Sequence, residues 1–146
     1  MRKKNSIIPL QLTPIDSDGY HLMVEGRIGR KKIRLLVDTG ASKTVFDRTQ
    51  LTRILGDTEH EFTMTEQLST GLGTNSMESH TTELKSMKIG EVRIPNFEVV
   101  VLDLSHVNES YAMIGIKGID GVLGSDFLAQ FKAVIYFSPA KLKLYY

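Results

Sequence analysis

An apolar strand that ends in a carboxylate constrains this chain more than any other feature of its sequence. Leu35, Leu36 and Val37 have the character of a buried strand, and Asp38-Thr39-Gly40 follows them directly. A carboxylate moved out of water is costly unless it is hydrogen-bonded, paired or protonated. Carboxylates in such places often have displaced pKa values, and displaced pKa values are concentrated at functional sites. Asp38 is therefore the first candidate for a functional residue.

The length and composition fit one globular domain. With 146 residues the chain can form a single hydrophobic core, and we predict one domain over residues 1–146. The net charge of +1 provides no overall field for capturing nucleic acid or an anionic membrane. Cysteine is absent, which excludes disulfides, zinc–thiolate sites and cysteine nucleophiles.

The amino terminus does not have the pattern of a secretory signal. Met1-Arg2-Lys3-Lys4 is basic, but the apolar run after it is short and contains Pro9 and Gln11. No segment approaches the roughly 18 apolar residues of a membrane-spanning helix. We therefore expect a cytoplasmic protein that binds neither membranes nor nucleic acid.

Short strands dominate the pattern. Residues 20–28 and 31–37 are predicted to form a hairpin, and Asp47 and Ser125 are suited to cap short helices that end near residues 55 and 131. Other strands are predicted at residues 44–46, 81–89, 96–104, 119–123, 133–137 and 142–146. Residues 57–79 are predicted to be a long hairpin or loop, and residues 105–118 give no clear prediction. The pattern indicates an all-β barrel or folded sheet with one or two short helices.

A second segment gives the Asp38 motif its context. Asp-Thr-Gly alone is too short to identify a site, but Gly121-Val122-Leu123-Gly124 follows later in the chain, with a short helix after it. Together these segments resemble the retropepsin-like aspartic proteases. In that family the Asp-Thr-Gly turn and a later apolar–apolar–Gly segment form a ψ-shaped crossing beneath the active site. The resemblance implies an acid-protease fold, a closed β-barrel with a ψ-loop active site.

The resemblance covers most of the chain in order and implies roles for individual residues. It makes Asp38 the catalytic acid, with Thr39 hydrogen-bonding across a dimer axis and Gly40 letting the backbone N–H approach the carboxylate. Ala41 and Gly124 complete the support of the site. The residues that it places along the substrate are Ser42, Val45, Gly71, Leu72, Gly73 and Val122, and residues 71–73 would form the tip of a flap.

The chemistry requires a second carboxylate. Peptide hydrolysis without a metal or a covalent intermediate needs an activated water and a protonated carbonyl oxygen, which an ionised carboxylate as general base and a protonated one as general acid provide. The chain has one Asp-Thr-Gly motif, and its other aspartates lack that setting. A twofold axis would bring Asp38 beside its symmetry mate, so we predict a homodimer that hydrolyses peptides or proteins without metal or cofactor. Retroviral members interleave their chain ends in a dimer sheet, and the resemblance leaves open whether Leu144-Tyr145-Tyr146 does so.

Three positions depart from better-known relatives. Ser42 and Ser125 stand where retroviral enzymes usually carry an acid and its arginine partner, and a contact between the two serines could replace that ion pair. Ala41 stands where pepsin-like enzymes have a serine that donates to the catalytic acid. With one donor fewer to the ionised form, we predict activity at mildly acidic to near-neutral pH. Lys43 either favours acidic substrate side chains or is a solvated turn residue.

The main alternative to a protease is a binding or dimerisation module on the same fold, with weak or no proteolysis. It is motivated by the missing acid–arginine pair and by a flap that is hard to align, and fold does not imply function.

The basic cluster at residues 30–34 lacks stacking aromatics and is interpreted as a solvated turn. No metal-ligand spacing is found among the histidines, which are His21, His60, His80 and His106.

Overall fold

A computed structural model of the chain describes residues 4–56, 63–64 and 79–146. The strands in these ranges are β1 (Asn5–Pro9), β2 (Gln11–Pro14), β3 (Tyr20–Ile28), β4 (Lys31–Val37), β5 (Val45–Asp47), β6 (Thr63–Met64), β7 (His80–Ile89), β8 (Val92–Leu102), β9 (Gly121–Leu123), β10 (Val134–Phe137) and β11 (Ala140–Tyr145). The helices are α1 (Arg48–Leu55), α2 (Ser105–Met113) and α3 (Ser125–Gln130).

Six strands close into a barrel. In order around it they are β3, β4, β9, β5, β8 and β7, and β7 returns to β3 through the pairs Gly26–Ile89 and Arg27–Lys88. The pairings β4–β9 and β5–β8 are parallel and the others are antiparallel. Closure removes the free edges that an open sheet would expose. The predicted closed, mostly β barrel is confirmed.

The core follows from alternation along the strands. Ile33, Leu35 and Val37 are the inward residues of β4, and they pack in one cluster with Phe46 and Leu123. A smaller cluster holds α2 against the barrel through Tyr111 and neighbouring apolar side chains. Helix α2 lies in the segment that had no clear prediction. Tyr111 is its one buried residue, so the helix has little hydrophobic periodicity.

The predicted helix caps differ in outcome. Asp47 caps α1 as predicted, because its carboxylate accepts a hydrogen bond from the Gln50 N–H at 3.0 Å. The prediction that Ser125 caps α3 was wrong. Gly124 occupies the cap position with extended backbone and Ser125 is the first helical residue, since Gly124 is held against the chain at Ala41 and Lys43.

A second sheet lies outside the barrel and consists of β1, β11 and β10 in that order. It joins the first and last strands, since Ile8 of β1 pairs with Leu142 of β11. The strands β10 and β11 form a hairpin in which Phe137 pairs with Ala140. The segment before Tyr20, for which the sequence made no prediction, thus supplies β1 and β2. None of the helices in the described ranges has the length and apolar character needed to cross a membrane.

Candidate active site

Strand β9 lies between β4 and β5 and passes beside the turn that carries Asp38. Val37 of β4 pairs in parallel with Leu123, and Val45 of β5 pairs antiparallel with Val122. The Asp38 N–H continues the first pairing by donating to the Leu123 carbonyl at 3.0 Å. These contacts form the ψ-shaped crossing that was expected from the two motifs.

Two glycines permit this crossing. A Cβ atom on Gly121 would lie 2.4 Å from the Val45 carbonyl oxygen, and one on Gly124 would lie 2.6 Å from the Lys43 carbonyl group. Both distances are shorter than any tolerated contact with backbone, which does not move aside easily. Glycine at both positions therefore lets β9 lie against the chain on either side of the Asp38 turn.

Asp38 is half-buried at the end of β4, and backbone donors hold its turn. The Gly40 N–H donates to Asp38 Oδ1 at 2.9 Å, and the Ala41 N–H donates to the Asp38 carbonyl at 3.2 Å. Asp38 and the exposed Thr39 line a cavity of about 350 Å³. A carboxylate with one oxygen held in place and an open cavity beside it can bind and polarise a water molecule.

A hydrogen-bonded pair, the buried Thr44 and the half-buried Asp126, supports the Asp38 turn. The Thr44 N–H donates to Asp126 Oδ2 at 3.0 Å, and the Thr44 hydroxyl donates to Asp126 Oδ1 at 2.8 Å. The Gly124 N–H in turn donates to Thr44 Oγ1 at 3.1 Å. Sequence reasoning missed this pair, for which the available signal was an acid in the first turn of the helix after Gly124.

The contact between Ser42 and Ser125 that could replace an acid–arginine pair is not found. No hydrogen bond joins their side chains in the part of the chain that the structure describes, and Ser42 is exposed. The two segments are joined instead through the backbone, because the Ser125 N–H donates to the Ala41 carbonyl at 2.7 Å. Together with Thr44 and Asp126, this bond connects the Asp38 turn to α3 without an acid–arginine pair.

Sequence comparison decides the family. The model of the family described as aspartyl protease matches residues 24–127, which include both motifs. This chain belongs to the aspartyl protease family. A search of curated proteins found no significant match.

Solved structures show the same fold. A retropepsin-like aspartic protease from Rickettsia conorii is similar with 24% identity and a TM-score of 0.58, over 99% of this chain and 93% of that one. The retroviral protease-like domain of Ddi1 from Leishmania major is 17% identical over 81% of this chain and 82% of that one, with a TM-score of 0.54. EIAV protease, solved with an inhibitor, is 18% identical over 83% of this chain and 97% of that one, with a TM-score of 0.58. The predicted retropepsin-like fold is confirmed.

A histidine–tyrosine pair stands beside the aspartyl protease motif. The Tyr111 hydroxyl and His21 Nδ1 lie 2.8 Å apart in a hydrogen bond, and their rings meet edge to face. His21 lines the same cavity as Asp38. Burial is the main cause that raises the pKa of Tyr111, while the charge of Arg34 opposes this shift and that of Asp38 adds to it. The pair thus joins α2 to β3 next to Asp38, a role that no local sequence signal indicated.

The remaining predicted positions are distributed around this centre. Val45 and Val122 are paired and half-buried beside the turn, and Lys43 is exposed. The predicted flap tip at residues 71–73 lies outside the described residues.

A larger cavity of about 1060 Å³ is lined by none of the predicted site residues. Among the described residues, no group of three or more His, Asp or Glu side chains is placed to hold a metal ion.

Proposed function

We propose that this aspartyl protease family member is an aspartic endopeptidase, active as a homodimer, with Asp38 and its symmetry mate as the catalytic pair. The observation that carries the proposal is the position of Asp38. It lies at the ψ crossing, half-buried, with one oxygen held by the Gly40 N–H and a cavity beside it. Family membership and the retropepsin-like fold support the same function.

The proposed mechanism uses one proton shared by two carboxylates. Like charges a few ångströms apart do not both ionise, so one Asp38 is ionised and the other is protonated. The ionised carboxylate takes a proton from water while the protonated one gives its proton to the carbonyl oxygen of the scissile bond. Water oxygen bonds to the carbonyl carbon, and the resulting diol collapses with cleavage of the C–N bond and transfer of a proton to the amine nitrogen.

Other residues have supporting roles in this proposal. Thr39 is exposed next to Asp38, where a hydroxyl can donate across a twofold axis, and the Gly40 N–H orients the carboxylate. Ser42, Val45 and Val122 are proposed to contact a peptide or protein substrate.

The cytoplasmic location and the lack of nucleic-acid or membrane partners stay predictions from the sequence.

One observation favours a second candidate, a retropepsin-like binding or dimerisation module. Ser42 is exposed and uncharged at the position where an acid would contact the substrate backbone in retroviral relatives. Looser anchoring at this position weakens substrate binding, and a fold of this kind can persist without activity.

A peptide library incubated with the protein between pH 3 and pH 8 separates the two functions. Asp38→Asn keeps the shape of the side chain and removes its charge, and Asp18→Asn is the matched control at an exposed aspartate. We expect cleavage by the wild type and Asp18→Asn, and a loss of at least about a thousandfold in Asp38→Asn. Cleavage that survives in Asp38→Asn contradicts the protease. A folded dimer that cleaves nothing at any pH favours the binding module.

A further inference from the structure

Four cationic side chains lie in register across four neighbouring strands of the barrel. Arg27 of β3 pairs with Lys32 of β4 on one side and with Lys88 of β7 on the other, and Lys88 pairs in turn with Arg93 of β8. Residues that pair across strands project from the same face of a sheet, and all four are exposed. We call Lys32, Arg27, Lys88 and Arg93 the cationic row.

Closure of the barrel produces this row. The pairing of β3 with β7 consists of two residue pairs, one of which is Arg27–Lys88. A Cβ atom on Gly26 would lie 2.9 Å from the Lys88 carbonyl oxygen, so glycine is needed for the two strands to approach this closely. Lys32 comes from the basic cluster at residues 30–34, which by itself indicates no more than a solvated turn. Only the tertiary structure therefore brings the four cations together.

The cationic row opposes the stability of the fold, because like charges directly opposite each other destabilise a strand pair. In the described part of the chain, the only carboxylate within 4 Å of a nitrogen of the row is that of Glu25, which lies 3.5 Å from Lys32 Nζ. Both of these side chains are more than half exposed, and an exposed ion pair contributes little. A bound anion would offset the repulsion that remains among Arg27, Lys88 and Arg93.

Three members of the row border the larger cavity of about 1060 Å³. This volume is close to the upper end of the range of about 300–1,000 Å³ that is typical of ligand pockets. Its lining contains six cationic and two acidic residues, a net charge of +4, whereas the whole chain has a net charge of +1. The cations outside the row are Arg34, Arg53 and Lys117, and the acids are Glu25 and Asp120. Positive charge is thus concentrated at this cavity.

Hydrogen bonds hold the wall of the cavity that carries Lys117. Asn108 Nδ2 donates to the Ile119 carbonyl at 3.0 Å, and the Ile119 N–H donates to Asn108 Oδ1 at 2.8 Å. The Arg34 N–H donates to Asp120 Oδ2 at 2.8 Å, so this carboxylate is already engaged with the backbone. The cavity is therefore formed by the fold itself, as ligand sites usually are.

We propose that the cationic row and the cavity beside it bind an extended acidic segment of a partner protein. Neighbouring strands are about 4.8 Å apart, so the row spans roughly 14 Å, a length that about four residues of extended peptide cover. A single small anion contacts only part of such a row. Carboxylates spaced along a peptide can each form charge-assisted hydrogen bonds with neighbouring cations and offset their repulsion.

The lining of the cavity favours a peptide over a nucleic acid. Proteins that hold single-stranded nucleic acid combine cations with aromatic side chains on which the bases stack. None of the described residues that line this cavity is aromatic. Cations without stacking partners suit the carboxylates of a peptide, which need charge and hydrogen-bond donors alone.

The row is separate from the candidate active site. Lys32 lies near the start of β4, and Asp38 follows the end of that strand, roughly 20 Å away along extended backbone. The two cavities share no lining residue. Binding at the row therefore requires no catalytic carboxylate, and the inference does not depend on the proposed function.

Fluorescence anisotropy of a labelled peptide of eight glutamates tests the proposal. A peptide of eight glutamines and a single-stranded oligothymidylate of eight nucleotides are the comparison probes. Arg27→Glu and Lys88→Glu each reverse one charge within the row. Lys85→Glu is the matched control, because it reverses an exposed charge on the same strand as Lys88, outside the row and the cavity.

We expect the glutamate peptide to bind the wild type and Lys85→Glu alike, and to bind Arg27→Glu and Lys88→Glu at least about tenfold more weakly. Its affinity for the wild type should fall between 50 and 500 mM NaCl, because salt screens exposed charges. Arg27→Gln should bind more weakly than the wild type and yet unfold at a higher urea concentration, since it removes two like-charge pairs.

Several results would overturn the proposal. A wild type that does not bind the glutamate peptide does so, as does a glutamine peptide that binds equally well. Equal losses in Lys85→Glu and Arg27→Glu would reduce the effect to overall charge. Tighter binding of the oligothymidylate than of the glutamate peptide would assign the row to nucleic acid instead. An Arg27→Gln protein that is less stable than the wild type would contradict the repulsion from which the bound anion is inferred.

Discussion

Thr44 and Asp126 are joined by two hydrogen bonds, of 3.0 and 2.8 Å, that connect the strand after the Asp38 turn to helix α3. Thr44 is fully buried, so its N–H and hydroxyl have no access to water. Asp126 also accepts a bond from the Phe127 N–H at 2.8 Å at the start of α3. One carboxylate therefore satisfies donors from both segments that hold Asp38 in place.

Removal of the Asp126 carboxylate is expected to destabilise the fold. Asp126→Ala leaves the buried donors of Thr44 unpaired, and each unpaired group costs about 1–3 kcal/mol. We expect the free energy of unfolding to fall by about 2–4 kcal/mol in urea titrations. The control is Asp18→Ala at an exposed aspartate, which is expected to lose less than about 1 kcal/mol. Equal losses in the two variants would show that the Thr44–Asp126 bonds add nothing to stability.

Substitution of Gly124 is expected to break the crossing beneath the site. A Cβ atom at this position would lie 2.6 Å from the Lys43 carbonyl group, so Gly124→Ala forces the backbone apart. We expect a loss of about 3 kcal/mol or more in the free energy of unfolding, or no folded protein. Gly19→Ala is the matched control, because nothing lies within 4 Å of its added Cβ. A Gly124→Ala protein as stable as Gly19→Ala would contradict the close approach.

We expect the free energy of unfolding to decrease at alkaline pH because of Tyr111. Burial raises the pKa of its hydroxyl above the value of about 10 that it has in the unfolded chain. As the pH rises through 10, the unfolded form loses the proton first, so the free energy of unfolding falls by up to about 1.4 kcal/mol per pH unit.

Tyr111→Phe tests this effect, because it removes the ionisable hydroxyl. We expect this variant to be about 1 kcal/mol less stable than the wild type at pH 7, since it loses the bond to His21. The deficit should shrink between pH 10 and pH 11. Tyr20→Phe, at an exposed tyrosine, should follow the wild type throughout, and a deficit in Tyr111→Phe that stays constant with pH argues against burial as the cause.

The residue at position 41 is expected to influence the pH range of activity. Ala41 places no donor side chain near Asp38, and the wild type is predicted to cleave peptides at mildly acidic to near-neutral pH. Ala41→Ser adds a donor to the ionised form, and a bond of about 1 kcal/mol moves the acidic limb of kcat/KM down by roughly half to one pH unit. Ser42→Ala is the neighbouring control, and it should not shift the acidic limb of the kcat/KM profile. A wild-type optimum near pH 2 contradicts the prediction.

The sequence by itself determined the elements whose cause is local. The β3–β4 hairpin, the Asp38 turn and the Gly121–Gly124 segment were predicted correctly, because alternation and turn residues leave a pattern within a few positions. The family resemblance then joined the last two into a crossing, and the structure bears this out through the pairs Val37–Leu123 and Val45–Val122.

Only the tertiary structure decided how distant polar side chains pair. Thr44 and Asp126 are 82 positions apart and His21 and Tyr111 are 90, so neither bond leaves a local pattern. Burial selects these partners, because a polar group removed from water must find another within hydrogen-bond distance, wherever the chain brings it. For the same reason the carboxylate of Asp126, and not a contact between Ser42 and Ser125, came to support the Asp38 turn.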